Sequence, residues 1–313
     1  MKAVLLDAAS LGDDVDLAPM AAAVDELVIH RHSEAAQCAA RLAGAQVAIS
    51  NKVVLDAATL AALPALKLIC VMATGTNNID TGAAAKHGIT VRNITAYGTA
   101  SVAQHTLMLM LALANRLPLY QHDVDAGRWQ QSPAFCLMHH RTVQLAGKHL
   151  VIVGQGELGH RVAQLAQAFG MQVSFCARPG NEAQDRRTSL AQLAPLADVI
   201  SIHCPLTDQT RDLINQAVLK TLKPGALLIN CARAGIIDDD AALAALRQGR
   251  LGGMGVDVLP QEPPRQGHVL LSALAENLNL IVTPHNAWIT PEARQNVVAL
   301  TAANLRQALP QDH

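Results

Sequence analysis

Short apolar runs alternate with alanine-rich stretches of helical spacing along most of this chain, and that alternation restricts the fold more than any other feature. Strands separated by single helices cross over and pair in parallel, and a parallel sheet needs cover on both faces. In the first third the predicted strands are Ala3–Leu6, Leu27–His30, Val47–Ser50, Leu68–Met72 and Thr90–Arg92. Helices such as Glu34–Leu42 and Asp56–Leu63 fall between them. An apolar helix follows over about Ala100–Arg116, and Pro118 is expected to end it. Tyr120–His149 is more polar, carries Gly127, Pro133 and Gly147, and reads as an irregular surface excursion. A second array then has strands at Leu150–Val153, Val173–Cys176, Val199–His203, Ala226–Asn230, Met254–Val258 and Leu280–Thr283. A last helix, Pro291–Leu309, is expected to pack back on the first array, which makes that domain discontinuous.

Composition narrows the class. The formal net charge is −1 and the charges are scattered, which argues against a nucleic-acid or anionic-membrane partner. Six cysteines (Cys38, Cys70, Cys136, Cys176, Cys204, Cys231) lie far apart with no Cys-x-x-Cys pair. They read as buried thiols in a reducing compartment, not a disulfide frame or a metal site. No other set of metal ligands stands out; His139 and His140, in the polar stretch, read as structural histidines. The N-terminus resembles a first strand and not a secretion signal, and the apolar helix is too short to span a bilayer. A soluble cytoplasmic protein is expected.

Gly154-Gln155-Gly156-Glu157-Leu158-Gly159 follows the apolar run LVIV and opens a helical pattern, the context in which a GxGxxG motif binds a dinucleotide. Gly154 permits the tight turn, Gly156 lets the backbone approach a pyrophosphate, and Gly159 lets the helix pack close to the strand. The helix N-terminus then offers free N–H groups and a positive dipole end to phosphate. At the end of the next strand, where an acid usually holds the adenine ribose of NAD, stands Ala177, followed by Arg178. Without that carboxylate nothing repels a 2′-phosphate and a guanidinium is available to pair with it. NADP is therefore favoured over NAD. Downstream, Arg233, Glu262 and His285 each follow a predicted strand directly or after a short loop. Ligands bind beyond the carboxyl ends of parallel strands, so a cation, a carboxylate and an imidazole are expected above the dinucleotide, equipped to move a hydride and a proton together.

The blocks ATGTNNID (Ala73–Asp80), VAQHTLMLMLAL (Val102–Leu113), LAGKHLVIVGQGELG, HCPLTDQTRDLIN, LKPGALLINCARAGIIDDD, GVDVLPQEPP and TPHNAW resemble, in order, those of the D-isomer-specific 2-hydroxyacid dehydrogenases. GRWQQSPAFC (Gly127–Cys136), SNKVVLD (Ser50–Asp56) and Trp288 resemble the glycerate dehydrogenase, or hydroxypyruvate reductase, subgroup. Gln104 stands where a glutamate is more usual, and Asn286 where an apolar residue is.

The resemblance implies two doubly wound α/β domains: a Rossmann dinucleotide-binding domain, 99–287, inserted in a discontinuous flavodoxin-like substrate domain, 1–98 and 288–313. It implies reduction of a small 2-oxo acid, hydroxypyruvate or glyoxylate, to the D-2-hydroxy acid. Arg233 would hold the substrate's carboxylate and ketone oxygen, His285 would exchange the proton as general acid/base, and Glu262 would orient the imidazole and favour its charged form. Asp257 is expected near the nicotinamide, with loop-tying as its alternative role. His203, Pro205, Cys231 and Ala232, with Arg233 and His285, would line the cofactor groove. Asn51, Thr74, Gly75 and Trp288, with Arg233 and His285, would contact substrate. Closure of the domains on cofactor is expected. A homodimer is implied, with the apolar helix and Tyr120–His149 as its contact. A dehydrogenase of a larger D-2-hydroxy acid is the near alternative. A cofactor-sensing protein resembling the family's transcriptional corepressors, binding without turnover, is the distant one.

Overall fold

The computed structural model of the protein describes residues 1–308, so the expected helix end at Leu309 and the domain segment 309–313 lie outside the described residues. The chain divides into two compact units: residues 1–98 with the chain from Ile289 onward, and Thr99–Trp288.

The first unit runs β1 (Lys2–Leu5), α1 (Ala18–Ala21), β2 (Glu26–Ile29), α2 (Ala35–Arg41), β3 (Val47–Ser50), α3 (Ala57–Ala61), β4 (Leu68–Val71), α4 (Thr81–Lys86) and β5 (Thr90–Arg92). Its five strands pair in parallel in the order β2-β1-β3-β4-β5. β3 and β4 are buried along their whole length, as a sheet covered on both faces requires. The build direction reverses between β1 and β3, and Asp7 occupies that switch point. Its carboxylate accepts from the N–H groups of Asn51 (2.9 and 3.0 Å) and Lys52 (2.8 Å) and from Ser50 Oγ (3.3 Å).

The second unit runs α5 (Thr99–Ala114), α6 (Leu117–Asp125), β6 (His149–Val153), α7 (Glu157–Ala168), β7 (Gln172–Phe175), α8 (Leu190–Leu193), β8 (Val199–Ile202), α9 (Gln216–Thr221), β9 (Ala226–Asn230), α10 (Asp239–Arg247), β10 (Leu251–Val256), α11 (Val269–Ala273) and β11 (Leu280–Val282). Six parallel strands lie in the order β11-β10-β9-β8-β6-β7. The switch point here falls between β6 and β8, where the glycine fingerprint begins. The chain then returns to the first unit as α12 (Pro291–Ala308). Val297, Val298, Thr301, Ala302 and Leu305 of α12 are buried. α12 packs on α1 and β4, and Arg294 pairs with Asp14 while donating to the carbonyl of Leu11 (2.7 Å).

Two sequence expectations are corrected. Pro118 does not end the long helix. α5 stops at Ala114, Arg116 turns the chain in the left-handed region (φ 56°), and Pro118 sits in the first turn of α6, where its missing N–H costs nothing. The polar excursion therefore begins as a helix. Strand β10 also starts earlier than expected, at Leu251. Its Gly252-Gly253 pair disguises it, because neighbours leave no room for side chains: a Cβ on Gly252 would lie 2.1 Å from the carbonyl oxygen of Gly225. Asn279 fills that corner, donating from Nδ2 to Gly252 (2.9 Å) and Leu113 (3.0 Å).

The apolar length of α5 is used inside its own unit. Ala103, Leu109, Met110 and Leu113 have no exposure and pack toward α7, β9 and β10. No helix among the described residues is long and apolar enough to cross a membrane.

Candidate active site

The fingerprint loop has the backbone its sequence asks for. Gly154 adopts φ 114°, and a Cβ there would stand 2.5 Å from the carbonyl oxygen of His203, so the ends of β6 and β8 touch only because no side chain intervenes. A Cβ on Gly159 would meet the carbonyl oxygen of Gly154 at 2.1 Å, which fixes how close α7 lies to β6. Gly156 is the N-cap of α7 and has nothing within 4 Å of its Cβ position, the open cradle a phosphate needs above free N–H groups. Gln155, Gly156 and Glu157 are exposed, whereas Leu158 is half-buried against the core. His203, whose Nε2 meets Ser201 Oγ at 2.8 Å, has a buried Nδ1 without a protein partner. Burial pushes its imidazole down to about 3, so it is neutral. Pro205 is exposed beyond it, and its carbonyl accepts from Thr210 Oγ1 (2.7 Å), which fixes the loop after β8. Open space at Gly156 and an orphaned ring nitrogen at the same switch point suit a dinucleotide.

At the end of β7, Ala177 is buried and its N–H donates to the carbonyl of Thr188 (2.8 Å), while Arg178 is exposed. The local sequence implies a strand end without a carboxylate, and the fold corrects this. The following loop returns Asp185, which accepts from the Arg178 N–H (2.8 Å) and clasps Arg187 through Nε (2.9 Å) and Nη2. Arg187 also donates from Nη1 to Gln155 Oε1 (2.7 Å), inside the fingerprint. The guanidinium and backbone N–H groups hold the Asp185 carboxyl far below its ordinary range, so the anion is neutralised by Arg187 and Arg178 stays available. Arg187 lies ten residues beyond Ala177, and no local pattern in the sequence marks it.

Strands β9, β10 and β11 are neighbours, so the loops that follow them emerge side by side. His285 Nδ1 lies 2.5 Å from Glu262 Oε2, and Glu262 Oε1 accepts from the Leu259 N–H (2.8 Å). The carboxylate is thus anchored by its own loop and accepts a hydrogen bond from the Nδ1–H of the imidazole, which assigns Nε2 as the ring's other nitrogen for proton exchange. Both side chains are about one-third exposed, so the pair is reachable from solvent. Arg233 follows Cys231 and Ala232, both buried. Its loop is tied by Asn230, which donates to the Arg233 carbonyl (2.8 Å) and accepts from the Ala232 N–H (2.9 Å). The guanidinium donates to the Ala232 carbonyl (2.7 Å). The structure therefore joins His285 to Glu262 directly and places Arg233 on the adjoining loop.

His285 adopts a left-handed backbone (φ 52°), which costs a non-glycine residue about 1–3 kcal/mol. Asp257, 1 % exposed, holds it there. Its Oδ1 accepts from Thr283 Oγ1 (2.5 Å) and the Asn286 N–H (3.0 Å), and its Oδ2 from the Ala287 N–H (3.0 Å). His105 of α5 adds a contact from Nε2 to Thr283 Oγ1 (3.0 Å). These are the bonds of a loop-tying carboxylate. Trp288 closes this segment, half-buried at the end of the unit.

In the first unit Asn51 is buried and held by Asp7, whereas Thr74 is exposed and Gly75 half-buried after β4. The Thr74 carbonyl accepts from Asn93 Nδ2 (2.7 Å). Asp7, which organises the Asn51 loop, escaped sequence reading because a lone aspartate after a first strand has no signature. His139 and His140, which the sequence reads as structural histidines, both bring their rings to the buried Asp123, sixteen and seventeen residues earlier, a convergence that no local pattern marks.

A doubly wound parallel sheet with a glycine-lined phosphate cradle at its switch point defines the class, a dinucleotide-binding oxidoreductase. Residues 107–287 match the family model for the NAD binding domain of the D-isomer specific 2-hydroxyacid dehydrogenases. The chain is 44% identical to a glycerate dehydrogenase of Methylorubrum extorquens over 82% of this chain and 80% of that one. It is 31% identical to a hydroxypyruvate reductase of Blautia hydrogenotrophica over 99% and 97%. Among solved structures, the pyruvate reductase of Chlamydomonas reinhardtii superposes with a TM-score of 0.81 at 26% identity, covering 98% of this chain and 96% of that one. The chain belongs to the D-isomer-specific 2-hydroxyacid dehydrogenase family and is a nicotinamide-dinucleotide-dependent dehydrogenase that acts on 2-oxo acids and their 2-hydroxy counterparts.

Proposed function

We propose that this chain reduces a small 2-oxo acid, hydroxypyruvate or glyoxylate, to the D-2-hydroxy acid. The observation that carries the reading is the His285–Glu262 pair on the loops of adjacent strands, 2.5 Å apart, with Arg233 on the next loop. The nicotinamide supplies or takes up the hydride when bound. His285 Nε2 gives the proton to the ketone oxygen, and Glu262 stabilises the imidazolium and fixes the ring. Arg233 holds the substrate's carboxylate and ketone oxygen through its planar fork. Asn51, Thr74, Gly75 and Trp288 are further substrate contacts in this proposal. Gly154–Gly159, His203, Pro205, Cys231 and Ala232 hold the cofactor, and Asp257 acts on it through the His285 loop. The subgroup is supported by the names of the two curated relatives.

NADP is the favoured cofactor, supported by Ala177 in place of the ribose-binding acid and by the exposed guanidinium of Arg178, which the Asp185–Arg187 pair leaves available. A homodimer belongs to the same proposal. Leu117, Val124, Trp129, Phe135 (91 % exposed) and Met138 (81 %) are exposed apolar side chains within residues 117–138 of the second unit, and they support it. The six free cysteines accord with a cytoplasmic location.

The test is oxidation of NADPH and of NADH with hydroxypyruvate, glyoxylate, pyruvate and phenylpyruvate, on protein whose mass in solution is measured. Turnover of the first two acids with NADPH preferred is expected. Higher kcat/KM for phenylpyruvate would replace the substrate assignment. Tight cofactor binding without turnover of any acid would overturn it.

A further inference from the structure

We propose that Asp123, His139 and His140 form a binding site for one zinc ion that clips the Gly127–Met138 loop to α6. The dehydrogenase chemistry does not use this cluster. Asp123 lies in the last turn of α6 with no exposure, and its Oδ2 is met by Nε2 of His139 at 2.5 Å and Nε2 of His140 at 2.8 Å. Side chains of consecutive residues usually diverge, yet these two rings lie 4.2 Å apart and address one oxygen. Tyr120, one turn earlier, stands edge-on to both rings and donates its hydroxyl to the His140 carbonyl (2.9 Å). Arg128 pairs with the other oxygen, Oδ1, so the two carboxylate oxygens have separate duties.

Two imidazoles and a carboxylate are a ligand set that zinc accepts, with bonds of about 2.0–2.1 Å. Tetrahedral ligands at that bond length stand roughly 3.3 Å apart. Each ring therefore retreats from Oδ2 by less than about 1 Å, with its proton moved to Nδ1. His139 is 48 % exposed and free to make the larger movement, while His140 needs a shift of only about 0.5 Å and Asp123 is fixed by burial. The exposed side leaves a fourth position for water. Arg128, half exposed, turns outward from the ion or stays on Oδ1 to orient the carboxylate. A single carboxylate balanced by one guanidinium leaves the ion's charge uncompensated, so micromolar affinity is expected, not the tighter binding of thiolate sites.

The experiment compares chelator-stripped full-length protein with the doubly substituted His139→Gln, His140→Gln chain, which keeps all six cysteines. Each is titrated with zinc sulfate, and bound zinc is counted by elemental analysis after gel filtration. One equivalent per chain is expected for the wild type and none for the variant. Zinc should raise Tm by several degrees and slow proteolytic cutting between Gly127 and Met138 in the wild type. The cutting assay needs no variant and holds if the variant fails to fold. Equal zinc in both chains would assign the metal to thiols and overturn the site. No bound zinc at ten times micromolar concentration, or unchanged cutting and Tm, would overturn it as well.

Discussion

Asp257→Asn separates two roles for one carboxylate, holding the His285 loop or meeting the cofactor. Asp257 accepts from two backbone N–H groups and one hydroxyl. An amide of the same shape has only one acceptor end. If its NH2 takes the Oδ2 position it opposes the Ala287 N–H, and if it takes the Oδ1 position it opposes the Asn286 N–H. In either orientation one buried donor loses its partner. Hydrogen bonds to charged groups contribute about 1.5–3 kcal/mol, and an orphaned buried donor costs about 1–3 kcal/mol. A stability loss of roughly 2–4 kcal/mol is expected, read as a fall in Tm of about 5–15 °C. The left-handed conformation of His285 then loses its restraint. Misplacement of the imidazole by even about 1.4 kcal/mol of reorganisation lowers the rate tenfold. The assay is steady-state reduction of hydroxypyruvate with separate measurement of cofactor Kd by fluorescence. We expect kcat to fall at least tenfold and Kd for the cofactor to change less than threefold. Weakened cofactor binding with kcat preserved would refute the positioning argument and give Asp257 to the nicotinamide.

Gly159→Ala places a methyl 2.1 Å from the Gly154 carbonyl oxygen, so α7 must shift and cofactor affinity should fall at least a hundredfold, measured by titration. Arg178→Gln should raise KM for NADPH about ten- to hundredfold and leave KM for NADH within twofold, because one charge-assisted phosphate contact is lost; equal effects on both cofactors would assign Arg178 to the loop alone. Asp239, in the first turn of α10, is half-buried beside Asp238, Asp240 and Asp212, with His268 Nε2 3.5 Å from its Oδ2, and desolvation and the neighbouring carboxylates push its carboxyl up to about 6. A folded-state value above the unfolded one gives stability that is complete below about pH 4 and lost as pH rises through about 6. Asp239→Asn should therefore stabilise the protein by roughly 1–3 kcal/mol at pH 7 and not at pH 4, measured by denaturant titration at both.

The parallel architecture was legible because each strand is an apolar run bounded by a helix of different period, and β3, β5 and β9 fall where the pattern put them. The fingerprint was legible because its glycines answer local demands: a positive φ at Gly154, a backbone contact at Gly159. Boundaries failed where a residue has two uses. Proline stops a helix or starts one, and only the turn at Arg116 decides for Pro118. Glycine breaks a strand or lets it pass beneath a neighbour, and only Gly225 and Asn279 decide for Gly252. Asp7, Asp257 and Asp185 hold loops through backbone N–H groups from distant segments, and such partners leave no trace in a local pattern. The same holds for Asp123 with His139 and His140.

The return of α12 to the first unit sets an order of events during synthesis. The sheet of that unit leaves the ribosome before the second unit, yet the helix that covers β4 and braces Asp14 and Arg92 is made only after it. Until it arrives, the apolar face it will bury stays uncovered while all of Thr99–Trp288 is translated. At about 5–20 residues per second that interval lasts roughly ten to forty seconds. The inserted unit has its whole sequence available before the unit that encloses it, and so can complete its fold first. A stop codon placed just before Pro291 would leave that face of the first sheet uncovered permanently.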